Sequence, residues 1–129
     1  MILYLEAIKK FAEFNGREGR KVFWTFFLVN CILACFALFF DNILGITLEY
    51  SGSYKNIGIG PLSIVFVAVM LIPSLAVSAR RLHDIGQSGW MTMLLWFPLI
   101  GWIWILIFWL TESNSYENYY GQCPEDPWK

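Results

Sequence analysis

Charged side chains punctuate this chain instead of spreading along it. The nine Lys and Arg and the ten Asp and Glu residues all fall outside three windows, 22–40, 56–79 and 85–111. Each window exceeds the roughly 18 apolar residues that mark a membrane-crossing candidate, because a helix rising about 1.5 Å per residue needs ~20 residues to traverse ~30 Å of hydrocarbon. The pattern predicts three spans, at about 22–40, 61–79 and 89–110. Ahead of them Tyr4, Leu5, Ile8, Phe11 and Ala12 recur at helical spacing, with Glu6, Lys9, Lys10 and Glu13 on the other side. That alternation predicts a short amphipathic helix, lying in the membrane interface or packing its apolar face on the bundle. The expected fold class is all-α: an integral membrane helical bundle of three transmembrane helices plus an N-terminal interfacial amphipathic helix, forming one domain over 1–129.

The interruptions within the windows refine this plan. Asn30, polar in hydrocarbon, should face another helix and hydrogen-bond there. The first span reads as retained, because Asp41, Asn42 and Ile43 follow it in place of a small-residue cleavage site. Ser51-Gly52-Ser53 and Gly58-Ile59-Gly60 predict turns in the loop over 41–60, and Pro61 stands at a natural helix start. Pro73 should kink the second helix, with Ser74 and Ser78 able to satisfy freed backbone groups or meet a neighbour. In the third window, Phe97-Pro98-Leu99-Ile100-Gly101 allows two readings. A single kinked span would end outside, whereas a re-entrant hairpin would bring the tail back to the cytoplasm on arms of about ten residues, half a crossing. The single span is the expectation.

Composition supports the lipid setting. A chain of 129 residues with 57% hydrophobic and 19% aromatic content and a mean hydropathy of +0.53 carries more apolar surface than a small soluble globule can hide. A net charge of −1 without a basic stripe excludes nucleic acid as a partner. The placement of charge says more. Lys9, Lys10, Arg17, Arg20 and Lys21 precede the first window, and Arg80 and Arg81 precede the third. Because basic residues stay cytoplasmic, the N-terminus and the central loop are expected inside and the tail outside. Cys31 and Cys35 sit four apart on one helical face and Cys123 is alone, so neither a disulfide framework nor a metal centre is expected, and no cofactor.

The candidate chemistry is concentrated in Arg80-Arg81-Leu82-His83-Asp84-Ile85-Gly86-Gln87-Ser88-Gly89-Trp90, which holds the only histidine. One arginine can reach lipid phosphates while the other turns inward to Asp84. His83 and Asp84, being adjacent, suit a tight turn that Gly86 and Gly89 make flexible. Ser88 fits as an N-cap and Trp90 as an interfacial anchor. Gly16 breaks the first helix, and Trp24 belongs at headgroup level. Most of the motif can be explained as hinge, cap and anchor. The functional reading is that Arg17, Arg20, Arg80, Arg81, His83, Asp84 and Ser88 form an anion site for a lipid headgroup or a small cytoplasmic anion. His83 could act as an acid or base, but no nucleophile or metal cage accompanies it, so an enzyme is not expected.

Three segments carry a family resemblance. Phe14, Gly16, Arg17, Arg20, Phe23 and Trp24 match a Phe-x-Gly-Arg-x-x-Arg-x-x-Phe-Trp segment. Arg80, Arg81, Leu82, His83, Asp84, Gly86, Ser88, Gly89 and Trp90 match a central loop, and Asn118, Tyr120, Gly121 and Pro124 match a terminal motif. In these the chain resembles the bacterial inner-membrane proteins of the domain of unknown function numbered 805 (DUF805), over nearly its whole length. Val22 departs from the pattern, where the family often carries an acidic residue. The resemblance implies a small multi-pass protein of the bacterial cytoplasmic (inner) membrane and supplies no reaction. The expected function is a non-catalytic binding or scaffold protein whose cytoplasmic-side Arg/His/Asp cluster contacts anionic lipid headgroups or a partner. The expected partners are membrane lipids, another membrane protein or a second copy. The alternative is a small oligomeric transporter or channel component, since three helices alone enclose too little room for a pathway.

Overall fold

The computed structural model describes residues 2–47 and 58–124; the expected turn at Ser51-Gly52-Ser53 lies outside them. The described residues form α1 (Ile2–Lys9), α2 (Arg20–Leu44), α3 (Pro61–Asp84), a 3-10 helix over Gly89–Trp96, and α4 (Ile100–Leu110). Among them no strand forms beyond an isolated bridge between Asn118 and Gly121.

Helices α2 and α3 are each long and apolar enough to cross a membrane. Their most apolar 18-residue windows reach mean hydropathies of 2.3 and 2.4, yet only 17% and 33% of those windows are buried within the protein. The apolar side chains therefore point outward; Phe36, Phe39, Val65 and Val69 are each more than half exposed. A core helix of a soluble domain would hide that surface, whereas a lipid-facing helix need not. Both helices run past the expected spans and take in Asp41 at one end and Arg80, Arg81 and Asp84 at the other. Helix α3 continues through Pro73, and the chain leaves it only at Ile85, so His83 and Asp84 end a helix and do not form the expected tight turn.

Asp41 explains why the far end holds together. Its carboxylate accepts from Leu62 N (3.1 Å), Ser63 N (2.8 Å) and Ser63 Oγ (2.6 Å), so α2 caps the start of α3. A carboxylate there satisfies orphan N–H groups and complements the positive end of the helix dipole. Gly60 permits the approach, because a Cβ at that position would lie 2.4 Å from Asp41 Cγ.

Helix α1 turns Tyr4, Ala7 and Ile8 onto α2. Ala7 joins Phe23, Phe26 and Val77 in the core, against which Val22, Trp24 and Trp109 also pack. Tyr4 stacks on Phe26 with centroids 5.7 Å apart. This face therefore packs on the bundle.

The third window is not one continuous span. The 3-10 helix ends at Trp96, Leu99 turns the chain with a φ of 67°, and α4 returns antiparallel. Gly101 makes that return possible, since a Cβ would lie 1.9 Å from Leu94 O. Trp102 Nε1 then ties the arms by donating to Leu95 O (3.0 Å). With 11 residues α4 is about 16 Å long, roughly half a hydrocarbon crossing. Its last turn comes back to the end of α3, where Arg81 Nε and Nη2 donate to Trp109 O at 3.3 and 3.2 Å. The expectation of one kinked helix over 89–110 is thereby corrected: the segment is two short helices joined by a turn, and its end lies beside the end of α3. Close packing at Gly101 folds the segment, and cations at α3 capture the carbonyls at its end.

Candidate functional site

The last turn of α3 is buried on every side, because the loop after α1 covers one flank and the end of α4 with the tail covers the other. Arg80, Arg81, Leu82, His83 and Asp84 are each no more than 9% exposed. Ion pairs this deep persist only when their remaining donors and acceptors find partners.

Asp84 is the centre. Its Oδ1 accepts from Arg17 Nε (3.1 Å) and Nη2 (3.0 Å), and its Oδ2 accepts from Arg81 Nη1 and Ser113 Oγ. Arg17 spends its other N–H groups on backbone oxygens. Nη2 reaches Asp84 O (3.1 Å) and Asn114 O (2.5 Å), and Nη1 reaches Tyr116 O (2.9 Å) and Gly121 O (3.1 Å). Arg81 also donates to Thr111 O. Two guanidinium planes thus clamp one carboxylate and gather carbonyls from the tail and from the end of α4, where cations complement the helix dipole.

Arg80 turns the other way. Its Nε donates to Glu18 Oε2 (2.7 Å), and its Nη1 donates to Lys10 O (2.7 Å) and Glu13 O. Glu18 N in return donates to Arg80 O (3.1 Å). Sequence reasoning missed Glu18; its place between Arg17 and Arg20 was the available signal, a lone acid among cations.

His83 faces a third direction. Its Nδ1 lies 3.2 Å from Gly16 O, and its ring stacks on Tyr120 at 3.8 Å with planes 4° apart. Gly16, at a φ of 91°, turns its carbonyl toward the imidazole. Asn118 holds the stacking partner in place: its Nδ2 donates to His83 O (2.9 Å) while its Oδ1 accepts from Tyr120 N (2.9 Å). The bridge to Gly121 closes the turn with backbone bonds of 3.1 and 3.0 Å.

The structure therefore joins Arg17, Arg80, Arg81, His83 and Asp84, with Asn118, Tyr120 and Gly121 as their ties to the tail. Arg20 stands apart. Its side chain is 46% exposed and its Nη2 lies 3.7 Å from Glu112, which is 88% exposed. Trp24 packs edge-on to Phe23 at 5.5 Å. Gly86, at a φ of 75°, turns the chain out of α3. Ser88 caps the 3-10 helix, its Oγ accepting from Trp90 N at 3.4 Å.

Beside the cluster lies a pocket of about 720 Å³. Asn15, His83, Ser88, Thr92 and the Tyr120 ring form its polar wall, and Leu75, Ala79, Met93 and Trp96 its apolar wall. Gly89 forms part of the floor; a Cβ there would lie 3.0 Å from His83 Nε2. Trp90 and Trp96 stand at the rim, 75% and 87% exposed. Among the described residues no three His, Cys, Asp or Glu side chains gather as a metal site.

Two helices long and apolar enough to cross a membrane, with a buried charge cluster at the end of the second, are features of a helical membrane protein. A family model described as "Protein of unknown function (DUF805)" matches residues 11–122, and the chain belongs to that family. Inner membrane protein YhaI of Escherichia coli K12 is 36% identical over 122 residues, covering 95% of this chain and 94% of the relative. Inner membrane protein YhaH of the same strain is 34% identical over 122 residues, covering 95% of each. No solved structure matches the chain.

Proposed function

We propose that this is a non-catalytic binding protein of the inner membrane that takes a membrane amphiphile into the pocket beside the arginine cluster. The pocket itself carries this reading. Its polar wall lies level with the buried charges, and its apolar wall continues along α3 through Ala79 to Leu75, so a headgroup and the start of its chains each meet matching surface. Arg17, Arg81 and Asp84 serve as the rigid frame of that wall, because their donors are spent on protein oxygens. Contact with anionic headgroups at the surface falls to Lys9, Lys10 and the half-exposed Arg20, each able to add about 1 kcal/mol near an anionic leaflet. Native mass spectrometry of the protein released from nanodiscs tests the reading. Met93→Trp, at a position 55% exposed, should strip retained lipid without loss of fold; undiminished lipid would overturn it.

The N-terminus, the cluster and the tail all occupy the cytoplasmic side in this reading, supported by the basic residues before α2 and at the end of α3. Single cysteines at positions 87 and 115 should label from the cytoplasm, and one at position 55 from outside. Labelling of 87 and 115 from opposite sides would sink the arrangement.

A second reading, an oligomeric transporter or channel component, draws on a different observation. Asn30, Ser74 and Ser78 line one groove of about 400 Å³ between α2 and α3, and Asn30 Oδ1 and Trp109 Nε1 in that groove are buried without a partner. Another helix could supply the missing bonds. This reading requires a stable oligomer in detergent that Asn30→Leu weakens, and a monomeric native protein would dismiss it.

A further inference from the structure

We propose that the pocket selects a lipid bearing a primary ammonium headgroup, with His83 Nε2 as the accepting atom. The inference rests on the pocket reading above and names its ligand class. A carbonyl oxygen can only accept, so at Gly16 O the imidazole Nδ1 must donate. In the neutral ring Nε2 then carries a lone pair and no proton. Gly89 leaves the space before that atom open, since a Cβ there would come within 3.0 Å of it.

Thr92 shares this accepting character, while Asn15, Ser88 and Tyr120, with an amide and two hydroxyls, can donate as well as accept. Ser88 Oγ accepts one bond from Trp90 N and keeps a second lone pair and its own proton. Thr92 Oγ1 uses its proton on Gly89 O (2.7 Å), which leaves its lone pairs to accept. Arg17 and Arg81 are otherwise engaged, donating to Asp84 and to carbonyls of the tail and of α4, and Arg80, though its Nη2 has no partner among the described residues, turns to Glu18 and does not line the pocket. At His83 Nε2 and Thr92 Oγ1 a ligand meets acceptors, and an ammonium carrying N–H donors satisfies them where an ionised phosphate cannot, while the hydroxyls and amide of the wall can serve the phosphate of the same headgroup. The exposed indoles of Trp90 and Trp96 at the rim present ring faces that favour a cation.

The test is a competition in nanodiscs at pH 8, where an imidazole of ordinary pKa (about 6.5) is neutral. Equal amounts of phosphatidylethanolamine, phosphatidylcholine and phosphatidic acid with identical acyl chains are offered to the full chain, and retained lipid is read by native mass spectrometry. Methylation keeps the charge and removes the donors, so it isolates the hydrogen bond from the cation–ring attraction. Phosphatidylethanolamine should be enriched over phosphatidylcholine by about three- to tenfold, the worth of one net hydrogen bond. The ratio should fall to near one in His83→Phe, which keeps the stack on Tyr120, and in Gly89→Ala, which covers Nε2. Where His83→Phe does not fold, Gly89→Ala decides. Equal retention of the two zwitterions, a preference untouched by the folded variants, or phosphatidic acid in first place overturns the headgroup assignment. In those cases the pocket reading survives if Met93→Trp still strips lipid. Lipid binding that is absent or insensitive to Met93→Trp overturns both.

Discussion

The two ends of α3 solve one problem with opposite charges. At its start a single carboxylate, Asp41, reaches across from α2 and accepts from two backbone N–H groups and a hydroxyl. At its finish Arg81 and Arg17 close on Asp84 and then spend their remaining donors on carbonyls of the α4 end and the tail. Asp41 sits at the helix N-terminus, where the dipole favours negative charge, and the arginines sit at the C-terminus, where it favours positive charge and where they also offset the Asp84 carboxylate. They differ in reach. The Asp41 cap joins neighbouring helices, whereas the arginine clasp ties together the segment before α2, the end of α3, the end of α4 and the tail. In a medium without water every polar backbone group needs a protein partner. A guanidinium with five donors can reach the backbone carbonyls of several segments at once, which the acceptor-only carboxylate of Asp41 cannot do.

The sharpest way to break this contrast is to remove Asp84. Asp84→Ala leaves Arg17 and Arg81 buried without their carboxylate, and loss of one partner from such a set costs about 3–5 kcal/mol. The thermal midpoint in detergent should collapse and the tail should become open to protease; an unchanged midpoint would show that the clasp does not hold the fold. Next in size is Asp41→Ala, which should speed amide exchange at Leu62 and Ser63 by roughly fivefold, the worth of a lost cap, and leave the tail protected. Asp41→Asn should recover part of the protection, since an amide oxygen also caps. Spread of the effect to the tail would mean that the two ends are coupled. The smallest effect belongs to Arg20→Ala. Its pair with Glu112 is long and open to solvent, so stability should move by less than about 0.5 kcal/mol, and a larger fall would mark Arg20 as part of the clasp.

The two long spans were legible because lipid-facing helices need only an uninterrupted absence of charge, and 22–40 and 61–79 have it. Their ends were not legible. Asp41, Arg80, Arg81 and Asp84 looked like boundaries, yet they lie inside helices because each finds partners there. The inward turn of one arginine to Asp84 could be foreseen from their spacing. The role of Glu18, and the commitment of Arg80 to it instead of to lipid phosphate, could not. The third window misled for a related reason: its length suggested a crossing, while Gly101, whose missing Cβ lets α4 pack against Leu94, determines the hairpin.

By itself, then, the order of residues determined that the chain is helical, that α2 and α3 belong to an apolar medium, and that its chemistry gathers around one histidine. Those properties are summed along the chain, segment by segment. Only the tertiary structure decided that Arg17 and Arg81 share one carboxylate, that Tyr120 covers His83, and that α4 brings the chain back to the end of α3. Such pairings depend on the direction of single N–H and C=O groups in segments far apart in the chain, and no local pattern encodes that direction.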